Sequence, residues 1–203
     1  MTPYELTILQ MELECIGLNG DGRLCRIPGD APDDIHRLFV VHHQGRYSLF
    51  AREDVPADVL SELHRRGPAV AFSDTQTVCE LLYGDRDKTC AWRGFAYTFP
   101  STFRANPGNL VIRDGRFIVF DEGREVSSAW SSRANEKCAE LATETVLSHR
   151  RRGLARRVSS AWALVQLAHA RIPFYSHKRG NVASRGLALS LGVEQFMDCI
   201  AYE

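Results

Sequence analysis

The sequence predicts an α+β protein of three-layer character, with a mixed, mostly antiparallel central sheet flanked by helices. Three observations carry that prediction. Residues 92–147 hold short apolar runs separated by tight-turn dipeptides, the pattern of an antiparallel meander. The meander runs into a basic turn and then Gly153, which opens a long helix with an apolar stripe. Beyond that helix, apolar runs at Ile172–Lys178 and Glu194–Tyr202 enclose a second helical pattern that begins at Asn181.

Bulk properties narrow the function classes. The chain has 203 residues, enough for one full domain or one domain with a sizeable extension. Its apolar fraction of 44% and charged fraction of 25% are those of an ordinary globular protein. Formal net charge is zero, so no global field draws in nucleic acid or a membrane, and any charge effect must be local. No apolar run approaches the roughly 20 residues a membrane span needs. The first seventeen residues carry acids and no basic n-region, so no signal peptide is expected there. The six cysteines, Cys15, Cys25, Cys79, Cys90, Cys138 and Cys199, form no CxxC pair and lie beside no histidines at zinc-finger spacing. No metal is expected, and with no secretory signal the expected setting is a cytoplasm that keeps thiols reduced. His42 and His43 are strand neighbours that point to opposite faces and cannot chelate together.

In chain order, residues 1–33 are rich in Gly and Pro and read as an irregular lead-in, with one short helix or strand before Gly17. Residues 38–41 and 47–51 flank a hairpin turn. Pro56 suits the first turn of a helix carrying Val59, Leu60 and Leu63, which Gly67 and Pro68 stop. Ser73 or Asp74 caps a further helix carrying Val78, Leu81 and Leu82, ended by Gly84. Residues 1–90 thus form a mixed N-terminal extension without a chemical motif, and residues 91–203 form the core. Within the core, Asp114-Gly115 marks a hairpin, residues 121–123 make the next turn, and residues 126–134 lead through Glu136 and Lys137 into a strand at 138–147.

That last strand and the turn after it carry the chemistry. Period-2 alternation puts Glu140, Ala142, Glu144 and Val146 on one face. Glu140 and Glu144 stand about 13 Å apart along the backbone, too far to share a proton, so at most one of them serves as a base. The bland alternative for either is a sheet edge or an arginine partner. The turn then reads Ser148, His149, Arg150, Arg151, Arg152, Gly153, Leu154, Ala155, Arg156, Arg157. Cations at a helix N-terminus oppose its dipole and repel one another, and a bound polyanion reverses both effects. Free N–H groups, a glycine and nearby arginines are what a diphosphate requires. A solvated basic turn is the alternative reading of the same residues.

The pattern from Arg150 to Ala155, with Gly153 between them, resembles the Q/R-x-x-G-x-G/A signature of the GNAT N-acetyltransferase superfamily. It lies after a central strand and opens a long helix, as that signature does. Downstream, the run from Asn181 through Ser184, Leu187, Leu191 and Gly192 to Val193 resembles the family's second segment. The resemblance spans residues 109–203, with looser coverage from Trp92. It implies a GNAT acyl-CoA N-acyltransferase fold with acetyl-CoA as cosubstrate and an amine as acceptor. Backbone groups of Thr145, Val146 and Leu147 would take the pantetheine arm. The N–H groups of Arg151, Arg152, Gly153, Leu154 and Ala155, with the arginine side chains from Arg150 onward, would take the pyrophosphate. Asn181 and Ser184 would lie along the other side of the coenzyme, and Tyr175 and Ser176 would border the thioester.

By the same resemblance, Glu140 falls closest to the family's base position, with Glu144 as second candidate, and a backbone N–H near Val146 would hold the oxyanion. The family's helix tyrosine, which protonates the thiolate, is replaced here by Ala188, which leaves Tyr175 as the candidate acid. Residues 1–90 would cover the acceptor cleft, add strands or build a homodimer interface. Three function classes follow: an acetyl-CoA-dependent N-acyltransferase, a coenzyme-A-binding sensor without turnover, and a basic-patch nucleic-acid binder. The neutral charge balance argues against the third.

Overall fold

The computed structural model describes residues 1–29, 35–88 and 92–203. In chain order the elements are α1 (Pro3–Leu13), β1 (Ile16–Leu18), β2 (Leu24–Arg26), β3 (Leu38–His43), β4 (Arg46–Ala51), α2 (Ala57–Arg66), α3 (Pro68–Ser73), α4 (Thr75–Tyr83) and β5 (Arg93–Thr98). They continue as β6 (Val111–Arg113), β7 (Arg116–Asp121), β8 (Arg124–Ala134), β9 (Cys138–Thr145), α5 (Leu154–Ala168), β10 (Ile172–Lys178), α6 (Val182–Leu191) and β11 (Glu194–Tyr202). The chain divides into two compact units, residues 1–95 with 196–203, and residues 96–195. Cys90 and the expected boundary between residues 90 and 91 lie outside the described residues.

In the first unit, β3 pairs antiparallel with both β4 and β11. Leu38, Val40, Ala51, Val55, Leu63, Val78, Leu82, Ile200 and Tyr202 form its core, and the Tyr202 hydroxyl donates to the Ala71 carbonyl at 2.8 Å. The lead-in is more ordered than its glycines suggest. Thr2 and Glu5 form a reciprocal capping box that starts α1, with Pro3 in its first turn. Helix α1 buries Thr7 and Gln10 along with Leu6, Met11 and Leu13, so its apolar residues trace no simple stripe. The glycines after it serve the β1–β2 hairpin. Helices α2 and α4 form where Pro56, Gly67, Asp74 and Gly84 place their ends, and Asp74 caps α4 by accepting from the Thr77 N–H at 3.1 Å.

The second unit is a mixed, mostly antiparallel sheet in the order β10, β9, β8, β7, β6. Pairs β6–β7, β7–β8 and β8–β9 are antiparallel, and β9–β10 is parallel. The Asp114-Gly115 and Glu122-Gly123 turns both hold two successive residues at positive φ, 49° and 73° in one and 48° and 77° in the other. That conformation matches the strand twist of a two-residue hairpin, and it explains why each turn ends on Gly. Helix α5 packs on β7, β8, β9 and β10. Its Trp162 is fully buried, donates its indole N–H to Ser131 Oγ at 3.0 Å, and meets Phe99 edge-on at 6.2 Å. This seat fixes where the first turn of α5 stands against the end of β9.

Replacing Trp162 by Ala removes that seat and should lower unfolding free energy by about 3–5 kcal/mol, whereas Phe, which keeps most of the ring volume, should cost less. Urea unfolding midpoints measure both.

Candidate functional site

The site begins where two strands part. β9 pairs with β10 only at Cys138–Ile172, Ala139–Pro173 and Glu140–Phe174, after which β9 runs on to Thr145 and β10 to Lys178. On its other edge β9 stays paired with β8 as far as Thr145. The Val146 N–H continues that ladder, donating to the Val126 carbonyl at 3.0 Å. Alternation along the ladder then aims the N–H groups of Thr143 and Thr145 at the opposite edge, where the pairing with β10 has ended. The Val146 amide itself is taken, so an oxyanion donor at this place must be a neighbouring amide. The strand also stops at Thr145 rather than Leu147, because residues 147–149 wind into a single 3-10 turn. In that turn the Val146 carbonyl accepts from His149 at 2.9 Å and the Leu147 carbonyl from Arg150 at 3.3 Å. Leu147 is left 79% exposed, an apolar side chain standing at the open strand end.

The basic turn follows. Arg151 and Gly153 take positive φ, 61° and 75°, and Gly153 forms the N-cap of α5. A Cβ added at Gly153 would meet nothing within 4 Å, so the space over this residue is open. Glycine suits the place on two counts, the backbone conformation and the bare approach to the helix start. Helix α5 has neither a side-chain cap nor an acidic residue in its first turn. Its first intrahelical donor is the Arg157 N–H, bonded to the Gly153 carbonyl at 3.1 Å, which leaves the amides of Gly153, Leu154, Ala155 and Arg156 without helical partners.

The arginines divide by role. Arg157 donates to the carbonyls of Pro107 and Asn109 at 3.0 and 3.1 Å and so ties down a loop. Arg150 donates from Nε to the Thr145 carbonyl at 3.2 Å, bracing the turn against the strand end. Arg152 lies 3.7 Å from Asp121, which also accepts from His149 Nε2 at 2.9 Å. Among the described residues Arg151 and Arg156 have no carboxylate partner and Asp121 alone meets this cluster, at a helix end whose dipole already opposes positive charge.

The two glutamates of β9 end in different surroundings. Glu140 is 4% exposed. Its Oε1 accepts a hydrogen bond from Ser176 Oγ across the parting strands, and its Oε2 lies 3.4 Å from Arg133. Arg133 reaches it because β8 carries an extra residue, Ser132, so that Ser131 faces Leu141 while Arg133 faces Glu140. Glu144 is exposed and lies 3.2 Å from Arg116, whose guanidinium also bonds Glu125 at 2.9 Å and Ser128 at 2.8 Å and stacks over Trp130 at 4.3 Å. Glu144 therefore belongs to a surface network, and Glu140 faces the gap between β9 and β10.

Tyr175 is buried and donates to the Ser184 carbonyl at 3.4 Å. Burial pushes its phenol above the usual tyrosine range, against the hydrogen bond to Ser184. Ser184 donates its N–H to the Asn181 side chain at 3.0 Å, so Asn181 caps α6. Beside Tyr175 lies a pair that sequence reasoning missed. The Tyr97 hydroxyl is 3.2 Å from His177 Nε2, and His177 Nδ1 lies 2.9 Å from the Lys178 carbonyl, which can only accept, so Nδ1 carries a proton. The spacing of Tyr175 and His177, two apart on one strand, was the available signal. Arg133 gave none, since only the bulge at Ser132 turns it towards Glu140. Among the described residues no three His, Cys, Asp or Glu side chains are placed to hold a metal, and no helix is long and apolar enough to cross a membrane.

No family model matches the sequence, and no curated protein does. Solved structures do. An acetyltransferase of the GNAT family from Colwellia psychrerythraea aligns over 93% of this chain and 80% of its own, with a TM-score of 0.54 and 11% identity. A chain from Novosphingobium aromaticivorans assigned to the same family aligns over 54% of this chain, with a TM-score of 0.43 and 17% identity, and this chain spans 63% of its length. At such identity the likeness to the Colwellia protein is one of fold: the chain has the fold of the GNAT acetyltransferases.

Proposed function

We propose that the chain is an acetyl-CoA-dependent N-acetyltransferase that passes the acetyl group to a primary amine by direct attack on the thioester. One observation carries the reading. A strand loses its neighbour after three residue pairs and runs into an open, positive-φ glycine at an uncapped, arginine-rich helix start. The unpaired edge of β9 suits an amide-bearing arm such as pantetheine, and the free amides of residues 153–156 with Arg151 and Arg156 suit a pyrophosphate. The residues present therefore fit the coenzyme, whose thioester supplies the activated acetyl group.

In this mechanism Glu140 takes the proton that the acceptor ammonium must lose before it attacks, and Glu144, tied to Arg116, has no part in the chemistry. The amine then forms its bond to the acetyl carbon, an amide on the open edge of β9 steadies the oxyanion, and the carbon–sulfur bond breaks. Tyr175 is the candidate donor to the departing thiolate, its phenol protonated at neutral pH as any tyrosine's is. A second reading, coenzyme binding without turnover, draws on Glu140, both of whose oxygens already have partners.

Calorimetry should show acetyl-CoA binding by the wild type, weakened at least about tenfold, or 1.4 kcal/mol, by Gly153→Glu, which sets a charged side chain at the helix start. Equal affinity for both would remove the anion cradle. Glu140→Gln should keep that affinity and lower kcat by about 10²-fold, and an unchanged rate would take the base role from Glu140.

For Tyr175 the raised phenol fixes a sign. The unfolded chain ionises its tyrosine first, so the stability Tyr175 contributes is whole below the ordinary pKa of about 10 and is lost as pH rises through the folded value. Urea midpoints at pH 8 and pH 11 should therefore fall further in the wild type than in Tyr175→Phe.

A further inference from the structure

The burial order at Glu140 leads past its assignment as a base. Its side chain is 6% exposed, and both carboxylate oxygens are occupied, one by Arg133 and one by the Ser176 hydroxyl. Each oxygen keeps a further lone pair, but at that exposure little of the carboxylate is open to an amine in the gap. Ser176 sits on β10 two residues past the last β9–β10 pair, so it stands inside the opening between the strands, and it is less buried than the carboxylate. Its proton already points at Glu140, which leaves its oxygen lone pairs for a donor arriving from the gap.

We propose that Ser176 is a proton relay: the acceptor's ammonium hydrogen-bonds to Ser176 Oγ, and its proton reaches Glu140 only through that hydroxyl. This rests on the transferase reading. In the step, an N–H bond of the ammonium breaks as an O–H bond forms on Ser176, while the original Ser176 O–H breaks and the proton joins Glu140 Oε1. The hydroxyl is regenerated with its hydrogen turned towards the amine. The neutral amine then attacks the thioester carbonyl, Tyr175 gives its proton to the thiolate as the carbon–sulfur bond breaks, and the second proton the nitrogen sheds restores the Tyr175 phenol. Arg133, set opposite Glu140 by the Ser132 bulge, holds the carboxylate oxygen that Ser176 does not.

The relay makes Ser176 and Glu140 one unit, and a double-mutant cycle tests that. The probes are acetyl-CoA with n-butylamine, spermidine and a lysine-containing peptide, and the fastest of the three with wild type is carried forward. Ser176→Ala and Glu140→Gln should each lower kcat by about 10²-fold with little change in acetyl-CoA affinity, and the double variant should be no slower than Glu140→Gln within about threefold. A side chain acting independently of Glu140 would give losses that multiply. Acetyl-CoA affinity of each variant reports an intact cradle, and Ser176→Gly, which likewise has no exchangeable side-chain proton, replaces Ser176→Ala in the cycle should that variant lose affinity. A Ser176→Ala enzyme at full rate, or multiplying losses, overturns the relay and leaves the transferase standing. A wild type that binds acetyl-CoA and acetylates none of the three amines overturns the relay and the transfer reading but not the cradle. A wild type that binds no acetyl-CoA removes all three.

Discussion

Everything proposed for this protein depends on a parallel ladder that ends early. β9 and β10 share three residue pairs and then part, while β9 keeps its other neighbour to the end. A strand edge inside a sheet is ordinarily saturated, because an unpaired buried amide costs about as much as a lost hydrogen bond. Here one edge of β9 is left for another partner, and the choice of edge is set by β8, which takes the amide of Val146 and turns those of Thr143 and Thr145 outward. The same parting opens the gap that Glu140 and Ser176 bridge. One backbone constraint thus leaves a strand edge open and sets a carboxylate beside the gap.

Charge supplies the second half of the arrangement. Arginines gathered at the start of α5 face a helix end that repels them, and among the described residues Asp121 is the carboxylate that meets them. The buried seat of Trp162 holds the helix there against that repulsion. Such an arrangement is stabilised by an anion, and Gly153, with no side chain over the first-turn amides, leaves the approach open.

Much of this was legible in the sequence, for reasons that differ by residue. The Asp114-Gly115 hairpin, the ends of α2, α4 and α6 and the start of α5 follow from local backbone preferences, which tertiary packing did not override. Helix α1 falls where one short helix or strand was expected before Gly17, and what concealed its type is a buried face that mixes Thr7 and Gln10 with apolar side chains. The end of β9 was misplaced by two residues, since no propensity distinguishes Val146 and Leu147 in a strand from the same pair entering a turn. Glu140 and Glu144 look alike in the alternation. What separates them is a one-residue bulge in β8 and the Arg116 network, both of which arise from how the consecutive strands β7, β8 and β9 pair, and the alternation of β9 alone carries no sign of either.

The central claim is that the open edge of β9 and the first turn of α5 together receive the coenzyme. Residue-resolved amide hydrogen exchange, with and without acetyl-CoA, tests it most directly. The account predicts slower exchange at Thr143, Thr145, Leu154 and Ala155 when acetyl-CoA is present, with the Val146 amide, already bonded to β8, changing little. Protection confined to other parts of the chain, with these amides exchanging as before, would contradict it.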